Sequence, residues 1–284
     1  MSGTASSSGS DLRVGFIGLG SQGGGMAQRV LGGGLPLTLW ARRPESLTPY
    51  TDTAAAVAAT PAELGAASDV VGICVVSDAD VEDVVLRADG VLAGMAPGGV
   101  VVVHATVHPD TCRRLADAAA SCGVAMVDAP VSGGGEVAAA GRLLVMVGGA
   151  DADVERCRPY LETFGDPVIH LGPVGSGQLA KLMNNFLFTA QVGVAVDTFA
   201  FADGLGIERS ALARVLAHGS GGSTAAGIVA GMGFDLRGLA SVAAGLLRKD
   251  VDLTLAVAGA AGAVAPEALV DLAERTLATL DAQA

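Results

Sequence analysis

Apolar residues recur along the chain with two different periods, and the change from one to the other divides it. Arg13-Val14-Gly15-Phe16-Ile17 is a short apolar run that leads into glycines and then into Met26-Ala27-Gln28-Arg29-Val30-Leu31 at helical spacing. This predicts a strand, a turn and a helix. The unit repeats: Leu37 to Trp40 and Val70 to Val76 read as strands, and Ser77-Asp78-Ala79-Asp80 reads as the cap of a helix carrying Val81, Val84 and Val85. Val100 to His104, Val124 to Val127, Leu143 to Val147 and Val168 to Leu171 read as further strands, with helices over Arg113 to Cys122 and Asp153 to Phe164. Strands alternating with helices predict an α/β fold with a doubly wound parallel sheet, covered on both faces, and ligands at the carboxyl ends of the strands.

Beyond Gly175 the helical period takes over. Gln178 to Ala202 predicts one long apolar helix, and Ser210 to Ala217, Ala240 to Ala258 and Pro266 to Leu280 predict others. The expected organisation is a disordered Ser- and Gly-rich tail over 1–11, a nucleotide-binding domain over 12–174, and an all-helical domain over 175–284 for substrate binding and oligomerisation. A long apolar helix needs burial on most sides, so a homodimer or homotetramer is expected.

Composition narrows the function. A hydrophobic fraction of 51% with 16% charged residues implies much buried surface, and 4% aromatics means a core of Ala, Val and Leu. The net charge of -12 repels polyphosphate backbones, which argues against nucleic-acid binding. The start of the chain lacks the basic and apolar parts of a signal peptide, and no apolar run demands a membrane span. Cys74, Cys112, Cys122 and Cys157 show no metal-ligand spacing and read as reduced thiols, so a cytoplasmic location is expected. His104 and His108 are four apart, but Pro109 argues against a helix across them and a third ligand is lacking, so no metal site is expected.

Four stretches carry candidate chemistry. Gly18-Leu19-Gly20-Ser21-Gln22-Gly23, between a strand and a helix, is the arrangement in which glycines let backbone amides approach a pyrophosphate at a helix N-terminus. After the next strand, Ala41-Arg42-Arg43 offers no carboxylate for a ribose 2'-hydroxyl, whereas two guanidiniums suit a 2'-phosphate. NADP(H) is therefore expected rather than NAD(H). Asp128-Ala129-Pro130-Val131-Ser132-Gly133-Gly134-Gly135 reads as a loop whose amides and hydroxyl can surround a carboxylate, or as a plain turn. The fourth stretch is Gly175-Ser176-Gly177-Gln178-Leu179-Ala180-Lys181-Leu182-Met183-Asn184-Asn185, which sets a lysine near the start of the first long helix. By itself such a lysine reads as a solvated surface group.

Together these stretches resemble the β-hydroxyacid dehydrogenase family, the 3-hydroxyisobutyrate dehydrogenase-like group related to 6-phosphogluconate dehydrogenase. The matches are Gly18-Leu19-Gly20 to Gly23 with Met26-Ala27; Asp128 to Gly134; Gly175 to Asn185 as G-x-G-x-x-x-K-x-x-x-N; and Lys249-Asp250. The resemblance implies a Rossmann-type domain followed by a helical domain, with the site in the cleft between them. It further implies Lys181 as catalytic acid/base, Asn185 as a substrate residue, Ser132, Gly133 and Gly134 as the substrate loop, and Lys249 near cofactor and substrate. The family's Ser-Thr-x-x-Pro appears here as Ala105-Thr106-Val107-His108-Pro109, so Thr106 alone is left beside the nicotinamide, and Val76-Ser77 replaces the usual Leu-Pro on the cofactor side.

Oxidation of a β-hydroxy acid sends hydride to the nicotinamide while a base takes the hydroxyl proton. A lysine serves if it is neutral when it acts, and burial beside the positive ring of an oxidised cofactor disfavours its charged form. Asn185, one helical turn on, can fix the substrate through its amide. The expected activity is hydride transfer between NADP(H) and a small β-hydroxy acid or its semialdehyde. Two rivals are an imine reductase, against which Lys181 argues because those enzymes generally lack it, and a catalytically silent NADP-binding scaffold, for which Ala105 is the hint.

Overall fold

The computed structural model describes residues 12–283, so the expected tail over 1–11 lies outside the described residues. The chain divides into two compact units, Met1–Lys181 and Leu182–Ala284. The division falls inside a helix, whereas the sequence reading sets it at 174/175.

The first unit is built on a six-stranded parallel sheet of β1 (Val14–Ile17), β2 (Leu37–Trp40), β3 (Ala56–Val57), β4 (Val70–Ile73), β5 (Val100–Val103) and β6 (Ala125–Asp128), in the order β3-β2-β1-β4-β5-β6. Its strands are short and continuously apolar because both faces are covered. Phe16, Val70, Val100 and Val102 pack on one side, and Ile17, Val71, Ile73, Val101 and Val103 on the other. The helices are α1 (Ser21–Gly32), α2 (Pro61–Ala66), α3 (Asp78–Leu86), α4 (Val91–Gly94) and α5 (Pro109–Ser121), with a 3-10 turn at Pro44–Tyr50. Strand order reverses between β1 and β4, which opens a crevice at their carboxyl ends.

Several expectations are corrected. The strand expected to run to Val76 ends at Ile73, because the chain leaves the sheet after Cys74 N–H donates to Ile17 at 2.8 Å. Residues 131–135 are not a plain loop: β7 (Val131–Ser132) is followed by α6 (Gly134–Ala139). β7 runs antiparallel to β8 (Leu143–Val147), which pairs in parallel with β9 (Gly165–His170), so these strands form a separate mixed sheet. α7 (Asp151–Leu161) lies between β8 and β9.

α8 (Ser176–Gly204) leads from the first unit into the second, which adds α9 (Arg209–Leu216), α10 (Thr224–Gly231), α11 (Arg237–Ala260) and α12 (Glu267–Asp281). Among the described residues α8 alone is long and apolar enough to cross a membrane. Phe186, Ala190, Val192, Ala195 and Phe199 of α8 pack into the helical core with Val251, Leu277 and Leu280, as in a core helix.

Candidate functional site

The turn after β1 has the geometry its glycines predict. Gly18 has φ +96°, and a Cβ there would lie 2.1 Å from the Cys74 carbonyl oxygen; a Cβ on Gly23 would lie 1.9 Å from the Gly18 oxygen. These two glycines are needed by the fold. Gly20 differs, since a Cβ there would meet nothing within 4 Å. It stands at the N-terminus of α1, where no side chain caps the helix and its first turn has no acidic residue. The first amides of α1, at Ser21, Gln22 and Gly23, have no carbonyl within the helix to bond and carry the positive end of its dipole. Uncapped amides facing the open space over Gly20 fit a dinucleotide pyrophosphate.

Ile17, Gly18, Leu19, Gly20, Trp40, Arg42, Arg43, Ser46, Val76 and Asp80 line a cleft of about 310 Å³ at this switch point. Arg42 donates to Asp80 Oδ1 at 3.0 Å and lies 3.6 Å from Asp83. The Ser77 hydroxyl, and then Arg42, hold the Asp80 carboxyl below its ordinary value. Ser77 also caps α3 as expected, accepting from the Asp80 amide at 3.2 Å. Ser132, Gly133 and Gly134 stand beside the start of α1, for a Cβ on the next residue, Gly135, would lie 3.0 Å from the Ser21 oxygen.

Lys181 is buried, at 8% exposure. The chain contains two lysines, Lys181 and Lys249, and all its other fixed cations are arginines. The N-terminus of its helix is held by Asp128 at the end of β6, whose carboxylate accepts from Gly175 N–H at 2.6 Å and Gln178 N–H at 2.8 Å. Burial pushes the Asp128 carboxyl up to about 6, against the lowering effect of those amides. Close approach is possible because Gly177 has no side chain; a Cβ there would lie 2.3 Å from the Met146 oxygen. Gln178 is fully buried, accepts from Val107 N–H at 3.1 Å and donates to the Ala105 carbonyl at 2.8 Å. These are the peptide groups on either side of Thr106.

In the second unit, Asn185 Nδ2 donates to Asp250 Oδ2 at 2.6 Å, and Lys249 Nζ lies 3.1 Å from Asp250 Oδ1. The matched Asn185 and Lys249 therefore meet through Asp250, which is 3% exposed.

His104 and His108 hold the fold. His104 bonds the Ala129 carbonyl at 2.8 Å and the Tyr160 hydroxyl at 2.7 Å, and His108 caps α5 by accepting from Asp110 N–H at 3.0 Å. Sequence reasoning missed Asp80, Asp128, Gln178 and Asp250 as parts of the site. For Asp128 a signal existed, since a carboxylate closing an apolar strand needs donors; for the others the partners are distant in sequence.

Known proteins resemble this chain over nearly its whole length. The family model described as the NAD binding domain of 6-phosphogluconate dehydrogenase matches residues 13–172, and that described as NAD-binding of NADP-dependent 3-hydroxyisobutyrate dehydrogenase matches 175–284. A 3-hydroxyisobutyrate dehydrogenase of Pseudomonas aeruginosa is 32% identical over 95% of this chain and 92% of its own length. An NAD-dependent L-serine dehydrogenase of the same organism is 36% identical over 75% of this chain and 72% of its own. The structure of Mycobacterium tuberculosis 3-hydroxyisobutyrate dehydrogenase with L-serine superposes with a TM-score of 0.82 at 28% identity, covering 94% of this chain and 93% of that one. With both family models matching in order along nearly its whole length, the chain belongs to the β-hydroxyacid dehydrogenase family of NAD(P)-dependent oxidoreductases acting on CH–OH groups.

Proposed function

We propose that the protein is an NADP(H)-dependent dehydrogenase of a small β-hydroxy acid, or reductase of its semialdehyde, with Lys181 as general acid/base. It acts in the cytoplasm as a homodimer or homotetramer. The observation that carries this reading is the placement of the two lysines: in a chain that otherwise uses arginine for fixed cations, both fall in the matched motifs, and Lys181 is buried. Only lysine of the two cations can give up its proton under working conditions. When bound, the nicotinamide supplies the hydride acceptor or donor. Lys181 takes the hydroxyl proton during oxidation and returns it during reduction.

Ser132, Gly133 and Gly134 hold the substrate carboxylate through amides and a hydroxyl, and Asn185 orients the hydroxyl-bearing carbon through its amide. The amides of Gly20 to Gly23 hold the pyrophosphate, while Leu19, Val76, Thr106 and Lys249 complete the cofactor site. Arg42 and Arg43 take the 2'-phosphate, for which they line the cleft without any strand-end carboxylate at 41–43. A spectrophotometric screen tests the reading: 3-hydroxyisobutyrate, L-serine and related hydroxy acids, and their semialdehydes, with NADP(H) and NAD(H). Turnover of at least one such pair, with higher kcat/KM for NADP(H), is expected. Equal or better use of NAD(H) would overturn the cofactor assignment, and turnover of a cyclic imine alone would overturn the substrate class.

A further inference from the structure

Residues 104–108 lie between β5 and α5. The His104 and Ala105 amides still reach the Ile73 carbonyl, at 2.8 and 3.3 Å, but the Ala105 carbonyl and the Val107 N–H lie outside the sheet and helix ladders. Ala105 and Val107 are buried nonetheless, at 3% and 0% exposure. Backbone groups without partners are costly in such surroundings. One side chain answers for both residues: Gln178 receives the Val107 N–H and donates to the Ala105 carbonyl. Its own N–H goes to Asp128, so the clamp is itself anchored to β6.

The amide thus grips the chain immediately before and after Thr106. Lys181 follows Gln178 by three residues on α8, which places the two side chains on one helix face. Gln178 and Lys181 are both buried.

We infer that Gln178 is a positioning residue for the reaction: its amide fixes the Thr106 segment against the helix face that carries Lys181. This rests on the reading of Lys181 as acid/base and of Thr106 as a cofactor-side residue. Glutamine is needed on chemical grounds. Asn is one methylene too short to span the same gap, and Leu offers neither donor nor acceptor. An ionised Glu keeps the bond from Val107 N–H but turns an acceptor toward the Ala105 carbonyl. A protonated Glu can restore both bonds.

The test uses the full-length protein with Gln178→Leu and Gln178→Glu, measuring kcat and both Michaelis constants from pH 5 to 9. Activities are referred to the folded fraction found by denaturant unfolding at each pH. Gln178→Leu should lower kcat by about 100-fold, the scale of an ångström of misplacement, with both Michaelis constants within about threefold of wild type. Gln178→Glu should be similarly poor at pH 8. Its activity relative to wild type should rise by about tenfold as the pH falls and the new carboxyl protonates. A Gln178→Leu kcat within twofold of wild type, or a Gln178→Glu ratio flat with pH, overturns the inference.

Amide hydrogen exchange separates this from failure of the functional reading, because it needs no substrate. Val107 N–H should exchange faster in Gln178→Leu while Val101 and Val102 of β5 keep their protection. Unchanged protection at Val107 overturns the clamp even if the enzyme is active. Faster exchange in a protein that turns over no hydroxy acid supports the clamp and refutes the reaction assigned to it.

Discussion

Asn185 donates its amide to the buried carboxylate of Asp250 at 2.6 Å. The Asn185 oxygen accepts from Asn184 Nδ2 at 3.0 Å, so the amide plane is set from both ends. The second Asp250 oxygen lies 3.1 Å from Lys249 Nζ, within ion-pair distance although not aligned as a hydrogen bond. Asp250→Ala should therefore release Asn185 and raise the KM for the hydroxy acid by about tenfold, the equivalent of losing one charge-assisted bond of ~1.4 kcal/mol. Asp250→Asn keeps an acceptor and should fall between. Steady-state kinetics with each variant checks the order, and equal KM values across wild type and both variants would contradict it.

Lys181 separates proton transfer from fixed charge. Lys181→Ala removes both, whereas Lys181→Arg keeps a fixed charge that does not give up its proton at working pH. Both should lower kcat by about 10²- to 10⁴-fold, the range for a positioned acid/base, with the dissociation constant for NADPH within about threefold. Fluorescence titration measures the latter. If Lys181→Arg retains most of the wild-type turnover, electrostatic stabilisation and not proton transfer is the residue's task.

Arg42 lies between two demands. Its guanidinium now rests on Asp80, a partly solvated pair that adds little to stability. A dianionic 2'-phosphate would compete with Asp80 for it. Arg42→Ala should raise the KM for NADP(H) by about tenfold and leave that for NAD(H) nearly unchanged. Asp80→Asn should act the other way, favouring NADP(H) by removing a like charge from the cleft. Kinetics with both cofactors gives the ratio, and a parallel change in both KM values for either variant would count against a 2'-phosphate site.

The six-stranded sheet was legible because strands buried on both faces are written as unbroken apolar runs, as at Val70–Ile73 and Val100–Val103. The mixed sheet was not, since β7 is only Val131–Ser132 and Gly134-Gly135 reads as a turn although it begins α6. Thr60-Pro61-x-Glu63 does announce α2, through the Thr60 side chain that accepts from Glu63 N–H, but the element is too short to show a period. The matched glycines and lysines were legible as motifs. Gln178 and Asp250 were not, because the groups that give them meaning lie 71 residues away at Val107 and 65 away at Asn185.

Two buried groups should make opposite contributions to stability against pH. The Ala129 carbonyl can only accept, so His104 carries its proton on Nδ1 and accepts the Tyr160 hydroxyl on Nε2, and burial lowers its pKa to about 4. Between the ordinary value of 6.5 and about 4 the unfolded chain binds a proton that the folded chain refuses, so this contribution to stability is lost as pH falls through that window. Asp128 behaves in reverse. Its folded value of about 6 exceeds the ordinary 3.8, so the folded chain binds the extra proton and stability declines as pH rises from 3.8 to about 6. Each displacement is equivalent to ~3 kcal/mol, and between pH 4 and 6 the two nearly cancel. Replacing one should expose the other. Relative to wild type, Asp128→Asn should lose stability progressively as pH falls from 6 to 4, while His104→Gln should gain it over the same interval. Urea unfolding at pH 4, 5, 6 and 7 measures both differences, in which the carboxylates common to all three proteins drop out; differences independent of pH would show that neither group titrates in its buried site as described.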